Sequence, residues 1–216
     1  NDENNKVLPT IFPFVTYNTG KNYYKKYSYN NILEFYNIFR DSTTDVHAKS
    51  QKKISSNIVL NKEIIKFNSL ISFDSNFYNQ LYDTKDKKID SNFVGGRYFR
   101  SFPILGINLE TPFKLKKNFK NLIYTPKLSF IISPGQSNSN KISNEDSSVN
   151  SYTIDNNKLL NRFTGSDKLD NSKRVNLEFN IKNPYASDKR GWSSEYAVPS
   201  KSYPTALSLT VRFELH

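Results

Sequence analysis

"IKFNSLISFDSNFYNQLY", residues 65–82, decides the fold class of this chain. Apolar side chains fall at every second position: Phe73 and Phe77 stand at odd-numbered positions, and Asp74 stands at an even-numbered one. An alternation of period two is the pattern of a β-strand that has one apolar and one polar face. We predict a single strand from Ile65 to Leu81, much longer than the roughly five or six residues of a usual globular strand.

The same alternation recurs along the chain. It is clearest in Leu122–Ile132, in Arg174–Ile181 and in Leu207–His216. We therefore predict an all-β fold of about eight to ten antiparallel strands. The remaining predicted strands are Ile11–Asn18, Tyr27–Arg40, Lys53–Leu60 and Arg97–Leu109.

Two kinds of connection separate the predicted strands. Asn61–Glu63, Asp83–Asp90 and Lys114–Lys120 are polar or charged and predict turns, whereas residues 134–172 form a Ser/Asn-rich stretch far longer than most loops. Short turns at one end of a sheet and long loops at the other are typical of an outer-membrane β-barrel. We interpret residues 1–216 as a single β-barrel segment whose long polar loop lies in the lumen as a plug or faces the cell exterior.

The composition fits a β structure better than a compact soluble core. Of the 216 residues, only 36% are hydrophobic, 14% are aromatic, and Asn is the commonest type. No stretch approaches the roughly eighteen consecutive apolar residues of a membrane helix, which excludes a helical membrane protein. The chain begins at Asn1 with no signal-peptide pattern near it, so an export signal, if the protein is exported, lies upstream.

The charge and the reactive residues narrow the function classes. The net charge of +11 suits an anionic partner such as lipid phosphates, or it reflects a codon bias that raises Lys everywhere. The Lys residues are scattered, so we expect no nucleic-acid partner. With no Cys, two isolated His residues and carboxylates on an irregular stretch, we predict no catalytic residue, no metal site and no cofactor.

Two interpretations of the fold differ in what the apolar face of the strands contacts. In a soluble β-sandwich or jelly roll that binds an anionic ligand or glycan, this face contacts a second sheet. In a membrane barrel it faces lipid, and a tilted strand needs about nine to eleven residues to span. The length of residues 67–81 favours lipid. Tyrosines near strand ends, such as Tyr23 and Tyr78, fit an aromatic girdle, although Tyr is also a common strand residue. The predicted lipid-facing residues are Phe67, Ile71, Phe73, Phe77, Leu128, Phe130, Ile132, Val175, Leu177 and Phe179.

The long loop carries a recognisable order of residue types. It reads "ISNEDSSVNSYTIDNNKLLNRFTGSDKLDNSKR" at residues 142–174. This order resembles the lipopolysaccharide-assembly outer-membrane protein family (LptD, also called OstA or organic solvent tolerance protein). In that family I-P-N-E-D-S precedes an Asn-rich stretch, then R-F-S-G-x-D-R, and then a G-x-R that opens the next strand. Leu8–Asn18 and Gly95–Phe113 also resemble family segments, and the mild departures are Ser143, Thr164, Lys168 and Ser172. The matching residues, expected to form the plug loop and to relate to translocation, are Asn144, Glu145, Asp146, Ser147, Asp155, Arg162, Phe163, Gly165, Asp167 and Arg174.

The resemblance implies transport and no enzymatic activity. Members of the family receive lipopolysaccharide (LPS) from a periplasmic bridge protein of the LptA type. They insert it into the outer leaflet of the Gram-negative outer membrane, with a lipoprotein of the LptE type in the lumen. The implied partners are therefore LPS, outer-membrane lipids and these two proteins. The family's periplasmic domain and cysteines have no counterpart here, so we expect a segment or a shortened version, with closure of the barrel left open.

The charged residues of the loop suggest how it is held. We expect Arg162 and Arg174 to pair with Glu145, Asp146 or Asp167 and to fix the loop as a plug. In a water-filled lumen each such pair is worth about 1 kcal/mol or less.

Overall fold

A computed structural model describes residues 7–114, 122–147 and 159–182, together with the backbone of residues 206–215. This part of the chain is all β, as predicted. Its strands are β1 (Thr10–Asn18), β2 (Asn22–Tyr24), β3 (Tyr27–Phe39), β4 (Ser50–Lys66), β5 (Ser69–Ile89), β6 (Asn92–Glu110), β7 (Phe113–Lys114), β8 (Ile123–Ile132), β9 (Lys173–Lys182) and β10 (Ala206–Leu215).

The ten strands form one antiparallel sheet. Its order is β1-β3-β4-β5-β6-β8-β9-β10, with the short β2 and β7 paired to β3 and β8. Strands that are adjacent in the sheet are therefore consecutive in sequence, apart from the short β2 and β7, as in a meander. Within the described residues β1 and β10 are the two edges, so this part of the sheet is open.

The predicted strand Ile65–Leu81 is wrong at its start. Residues 66–69 form a two-residue hairpin turn between β4 and β5, in which Phe67 and Asn68 have φ of 52° and 56°. Positive φ at both central residues is the geometry of a type I′ turn, whose twist matches that of the flanking strands. The turn reverses the parity of the side chains, so Ile65 and Ile71 lie on opposite faces although both are odd-numbered.

Two predicted turns are also wrong. Asn61–Glu63 lies inside β4, and Asp83–Asp90 lies almost wholly in β5, which turns only at Asp90 and Ser91. Charged residues persist in strands here because β4, β5 and β6 are 17, 21 and 19 residues long and continue beyond their apolar stretch. In the extension of β5 the charged side chains Lys85, Asp86 and Lys88 are exposed, and so its composition resembles that of a turn.

The two faces of the sheet differ sharply. One face carries Lys53 and Tyr82, which are paired across β4 and β5, and we call it the loop face because the long β8–β9 connection packs on it. The other carries Ile54, Leu81 and Phe99 in one cross-strand row, and we call it the apolar face. Alternation along each strand keeps these two sets apart.

The buried core lies between the loop face and the connection. Tyr78, Phe102, Ile104 and Ile131 project from the sheet, and Leu169 of the loop covers them, with Leu160 packed at the margin. All five buried members are at most 6% exposed. The core therefore fixes the loop to the sheet. In the described part of the chain, no helix is long and apolar enough to cross a membrane.

Candidate functional site

The candidate site is the β8–β9 connection, docked on the loop face. Its described residues, 133–147 and 159–172, contain no strand. They fold through side-chain bonds to their own backbone. Asn138 Oδ1 accepts a hydrogen bond from the N–H of Leu169, and Asn138 Nδ2 donates one to the carbonyl of Leu169, both at 2.8 Å. Asn144 forms the same two-way contact with Ser147, at 3.1 and 2.8 Å. The many Asn and Ser residues of this stretch thus replace the ladder bonds that a strand would supply.

Lys53 of β4 is the charge at the centre of the site. Its side chain is fully buried, and its Nζ lies 2.9 Å from Glu34 Oε1, 3.0 Å from Asp146 Oδ2 and 3.1 Å from Asp167 Oδ1. Nζ also donates to Ser166 Oγ at 2.7 Å and lies 5.1 Å from the centre of the Tyr36 ring. One strand cation therefore holds two carboxylates of the loop and one of β3.

Asp167 is the loop carboxylate that reaches deepest into the sheet. Its oxygens accept the hydroxyl of Tyr36 at 3.2 Å, the hydroxyl of Tyr82 at 3.0 Å and the N–H of Glu145 at 2.8 Å. Burial raises the pKa of Asp167 above its ordinary value, although the nearby Lys53 ammonium opposes this shift. The donors around it explain how a carboxylate persists in so enclosed a place.

Asp146 ties the two halves of the loop together. It accepts the N–H groups of Ser166 and Asp167 at 3.0 and 2.8 Å, besides its ion pair with Lys53. Burial opposes its ionisation, but the Lys53 charge and these N–H donors outweigh burial and lower the pKa of Asp146 to about 2. Asp146 therefore carries a full negative charge near neutral pH and links residues 144–147 to residues 165–167.

The close packing of residue 165 against Asp146 requires a glycine at this position. A Cβ built at this residue would overlap Oδ1 and the carbonyl oxygen of Asp146. Only hydrogen fits between the two halves of the loop at this point. The match of Gly165 to the family motif thus has a steric reason in this chain.

Arg100 and Arg40 fasten the loop at two further points. Arg100 of β6 donates to the carbonyl of Ser166 at 2.7 Å and to Asn138 Oδ1 at 3.2 Å. Arg40, after β3, forms a two-pronged contact with Glu145 at 2.6 and 3.2 Å. Planar guanidinium groups match carboxylates in this way. Both arginines are buried, so these contacts are shielded from water.

Ser143, which departs from the family motif, has a structural use. Its N–H donates to Gln51 Oε1 at 2.8 Å, and its hydroxyl oxygen accepts the N–H of Ala48 at 2.8 Å. A proline, the usual family residue, has no N–H to give. Gln51 also donates to the carbonyl of Ser143 at 2.9 Å, so the pair is joined in both directions.

The predicted pairing of the loop arginines is wrong. Arg162 and Arg174 both pair with Asp170, with Arg162 Nε 2.5 Å from Asp170 Oδ2. Arg174 also donates to the carbonyl of Leu159. Glu145 pairs instead with Arg40, directly after β3, and Asp146 and Asp167 pair with Lys53 of β4. The reason is geometric: Arg162 and Arg174 lie at the β9 end of the loop, eight and four residues from Asp170, so that carboxylate is within their reach.

The structure brings most predicted loop residues into one cluster. Asn144, Glu145, Asp146, Ser147, Gly165 and Asp167 meet around Lys53, while Arg162 and Arg174 surround Asp170. Phe163 lines two cavities beside the loop, of about 630 and 420 Å³, and the smaller one is mainly polar. Asp155 lies outside the described residues. Sequence reasoning missed the strand partners, whose only signal was polar residues at alternate positions: Tyr36, Arg40, Gln51, Lys53, Gln80, Tyr82 and Arg100.

The apolar face collects the predicted lipid-facing residues. Register places nine of the ten there, and the tenth, Phe67, lies in the β4–β5 turn. The face is well exposed: Phe99 is 71%, Ile54 57% and Ile132 52% accessible. Nothing in the described part of the chain covers it as a second layer. The nine residues are Ile71, Phe73, Phe77, Leu128, Phe130, Ile132, Val175, Leu177 and Phe179.

Charged side chains lie at two levels of this apolar face, a row of three at one end and Lys62 of β4 towards the other. On β4, Lys52 and Lys62 lie on it ten positions apart, with Ile54, Ser56, Ile58 and Leu60 between them. Lys52 shares its row with Asp83 and Arg97, and Lys62 donates to the hydroxyl of Tyr27 at 3.0 Å. The polar groups within the band satisfy each other, since Ser101 donates to Asn79 and Ser56 to Asn31, each at 2.9 Å.

The contacts of the site attach the loop to the sheet. The four described carboxylates of the loop, Glu145, Asp146, Asp167 and Asp170, are each paired with a cation. Among the described residues no group of three or more His, Cys, Asp or Glu side chains is arranged to hold a metal ion. The contacts hold a folded polar loop against a polar wall.

We expect Gly165→Ala to loosen the loop without unfolding the sheet. The added methyl group displaces Asp146, and overpacking of this kind costs about 1 to 3 kcal/mol. Limited proteolysis of the folded protein should show faster cleavage within residues 133–172. Lys168→Ala, at an exposed position of the same loop, is the control and should leave the rate unchanged. Equal cleavage rates for both variants would contradict the role given to Gly165.

Comparison with known proteins gives one family. A family model described as LptD, LPS transport system D, matches residues 1–194. No curated protein matches the chain. The matched region contains the loop, both clusters of ion pairs and strands β1 to β9.

Proposed function

We propose, because the chain belongs to the LptD family of the LPS transport system, that it forms part of the wall of an outer-membrane β-barrel through which LPS reaches the outer leaflet. The family handles LPS transport and outer-membrane biogenesis. In our proposal the apolar face meets the lipid of the Gram-negative outer membrane, and the loop face lines the passage. The loop closes the passage from inside.

The observation that carries this proposal is the spacing of Lys52 and Lys62 on the apolar face of β4. Lys52 and Lys62 are ten positions apart on one strand. At roughly 3.4 Å per residue they are about 34 Å apart along β4, and a tilt of about 45° reduces this to about 24 Å in height. The apolar band of outer-membrane barrels is about 25 Å tall. The stretch of β4 between these two lysines therefore fits the height of a bilayer core.

The longest connection indicates which end faces outward. The loop between β8 and β9 and the ten-residue β3–β4 connection lie at the Lys52 end, together with the two-residue β5–β6 turn. The Lys62 end has the two-residue β4–β5 turn and the shorter stretch between β9 and β10. Outer-membrane barrels have short periplasmic turns and longer extracellular loops. We therefore assign the Lys52 row to the outer leaflet and Lys62 to the inner one.

The loop face suits a wet passage. Below the docked loop it carries Asn61, Ser72, Asp74 and Asn108, which bond to one another, and a polar cavity of about 420 Å³ adjoins the loop. A polar loop with irregular backbone is tolerated at membrane depth only where protein or water satisfies it. Insertion of LPS into the outer leaflet, with partners of the LptA and LptE types, follows from the family resemblance and is part of the proposal.

A soluble β-sandwich is disfavoured by the exposed apolar face. Such a fold needs a second layer of protein over Ile54, Phe99 and Phe130, and the described residues supply none. A contiguous exposed apolar patch of this size marks a surface that meets another phase or partner.

The function is tested by depleting the protein in its own bacterium. We expect newly made LPS to disappear from the cell surface, measured by labelling of intact cells with a membrane-impermeant reagent, while LPS accumulates inside. Restoring the wild-type chain should restore surface labelling. Unchanged surface LPS after depletion would overturn the proposal.

Deletion of residues 144–167 tests the plug. We expect the sheet to assemble, because its pairing does not use these residues, and large antibiotics to enter the cells more readily because the passage is open. Growth inhibition by a large glycopeptide antibiotic measures this entry. The Lys168→Ala variant should be as resistant as the wild type. A deletion variant that assembles and stays resistant would show that the loop does not close a passage.

A further inference from the structure

The outer charged row encloses a small cavity on the apolar face. Its volume is about 200 Å³, and Lys52, Asp83 and Arg97 line one side while Phe35, Ile54 and Leu81 line the other. Lys52, Asp83 and Arg97 occupy paired positions on β4, β5 and β6. A cavity of mixed character thus lies where the apolar band ends.

The charges of this row do not neutralise one another. Among the described residues, no ion pair within 4.0 Å includes Lys52, Asp83 or Arg97, although the three are neighbours in register. Lys52 and Arg97 are exposed. Two cations and one carboxylate leave a net positive charge, whereas Lys53 and Arg40 beneath the loop are paired with carboxylates and buried.

We propose that Lys52 and Arg97 bind a phosphate group of an LPS molecule in the surrounding outer leaflet. This molecule is a lipid of the membrane around the protein and is not the LPS being transported. A guanidinium and an ammonium group are the two donors best suited to phosphate. Phe35, Ile54 and Leu81 then meet the acyl chains below that phosphate. This inference rests on the proposed orientation, in which the Lys52 row lies at the headgroups of the outer leaflet.

The neighbouring side chains fit a lipid better than a free anion. Phe99, one row below Arg97 on the same face, is 71% exposed, and Leu81 is 42% exposed. A free phosphate ion would leave this apolar surface bare, whereas a phosphorylated lipid covers it. Asp83 lines the same cavity and repels a phosphate, so its charge weakens the site.

The experiment places a photo-reactive benzoylphenylalanine at Phe99 in the full chain. The protein is reconstituted into phosphatidylcholine vesicles that contain a small fraction of bisphosphorylated lipid A, and lipid A adducts are measured after illumination. Removing both cations with Lys52→Gln and Arg97→Gln should lower the adduct about thirtyfold, since each basic residue near an anionic lipid surface contributes about fivefold to binding. Asp83→Asn should raise it.

The control is Lys62→Gln, which removes the cation at the other end of the same face and should leave the adduct unchanged. Lipid A stripped of its phosphates should give little adduct with the unmodified row. An adduct that persists in the Lys52→Gln, Arg97→Gln variant, or falls equally in Lys62→Gln, would overturn the site. The surface-labelling experiment is independent of this result, so the proposed function stands or fails separately.

Discussion

Replacing Lys53 by methionine is expected to lower the free energy of unfolding by about 3 to 5 kcal/mol. The substitution keeps the length and the apolar stem of the side chain but leaves Glu34, Asp146 and Asp167 without the ammonium that lies within 3.1 Å of each. Breaking a buried ion pair from one side is costly because the remaining charge stays uncompensated. The measurement is denaturant unfolding of the folded protein in detergent, with limited proteolysis of residues 133–172 to detect release of the loop.

The matched control is Lys85→Met, which removes an exposed ammonium from β5. Surface charges contribute about 0 to 1 kcal/mol, so this variant should unfold as the wild type does. A second variant, Asp167→Asn combined with Lys53→Met, should lose less than the sum of the two single losses, because it removes a buried charge together with its partner. Equal losses for Lys53→Met and Lys85→Met would show that the cluster does not hold the loop.

The burial of this cluster also corrects the energy expected from sequence. An estimate of about 1 kcal/mol or less per pair holds for exposed charges. Lys53 and Asp167 have fully buried side chains, and Arg40 and Glu145 are 4% and 3% exposed. The loop is therefore fastened by contacts whose removal is costly.

Strand positions and the two faces were predictable because alternation is local. Side chains at i and i+2 share a face in any strand, so the apolar set could be assigned from sequence without knowing the partners of each strand. The failure at Phe67 has the same origin. Asn68 and Phe67 carry no Gly-type turn signal, and the alternation happens to continue in phase across the hairpin, which hides the reversal of faces.

The contacts of the loop were not predictable because their partners are remote. Tyr36 and Asp167 are 131 positions apart, and Gln51 and Ser143 are 92 apart. The motif residues were recognised by type and order, but type and order do not say that Lys53 is the shared cation. A buried Lys on the polar parity of a strand resembles any solvated Lys until the fold places carboxylates over it.

Phe77→Arg is expected to cost about 2 to 4 kcal/mol of folding free energy in a bilayer, the cost of a charge near the bilayer midplane. Phe77 pairs with Ile58 and Pro103 on the apolar face, and Ile58 lies six positions from Lys52 and four from Lys62, close to mid-height of the band. Phe73→Arg should cost only about 0 to 1 kcal/mol, because Phe73 pairs with Lys62 at the edge of the band, where a long cation reaches the headgroups. The measurement is denaturant titration of folding into lipid vesicles.

The adjacent residue Asn76 provides the control on the opposite face. It lines the polar cavity of about 420 Å³ on the loop face, so Asn76→Arg places the new charge in an aqueous space and should be nearly neutral. The order Phe77→Arg, Phe73→Arg, Asn76→Arg in decreasing cost requires both a lipid-facing side and a band of limited height. A soluble protein with this sheet in its interior would give Phe73→Arg and Phe77→Arg similar, large costs. A protein that folds without detergent would likewise contradict contact between this face and hydrocarbon.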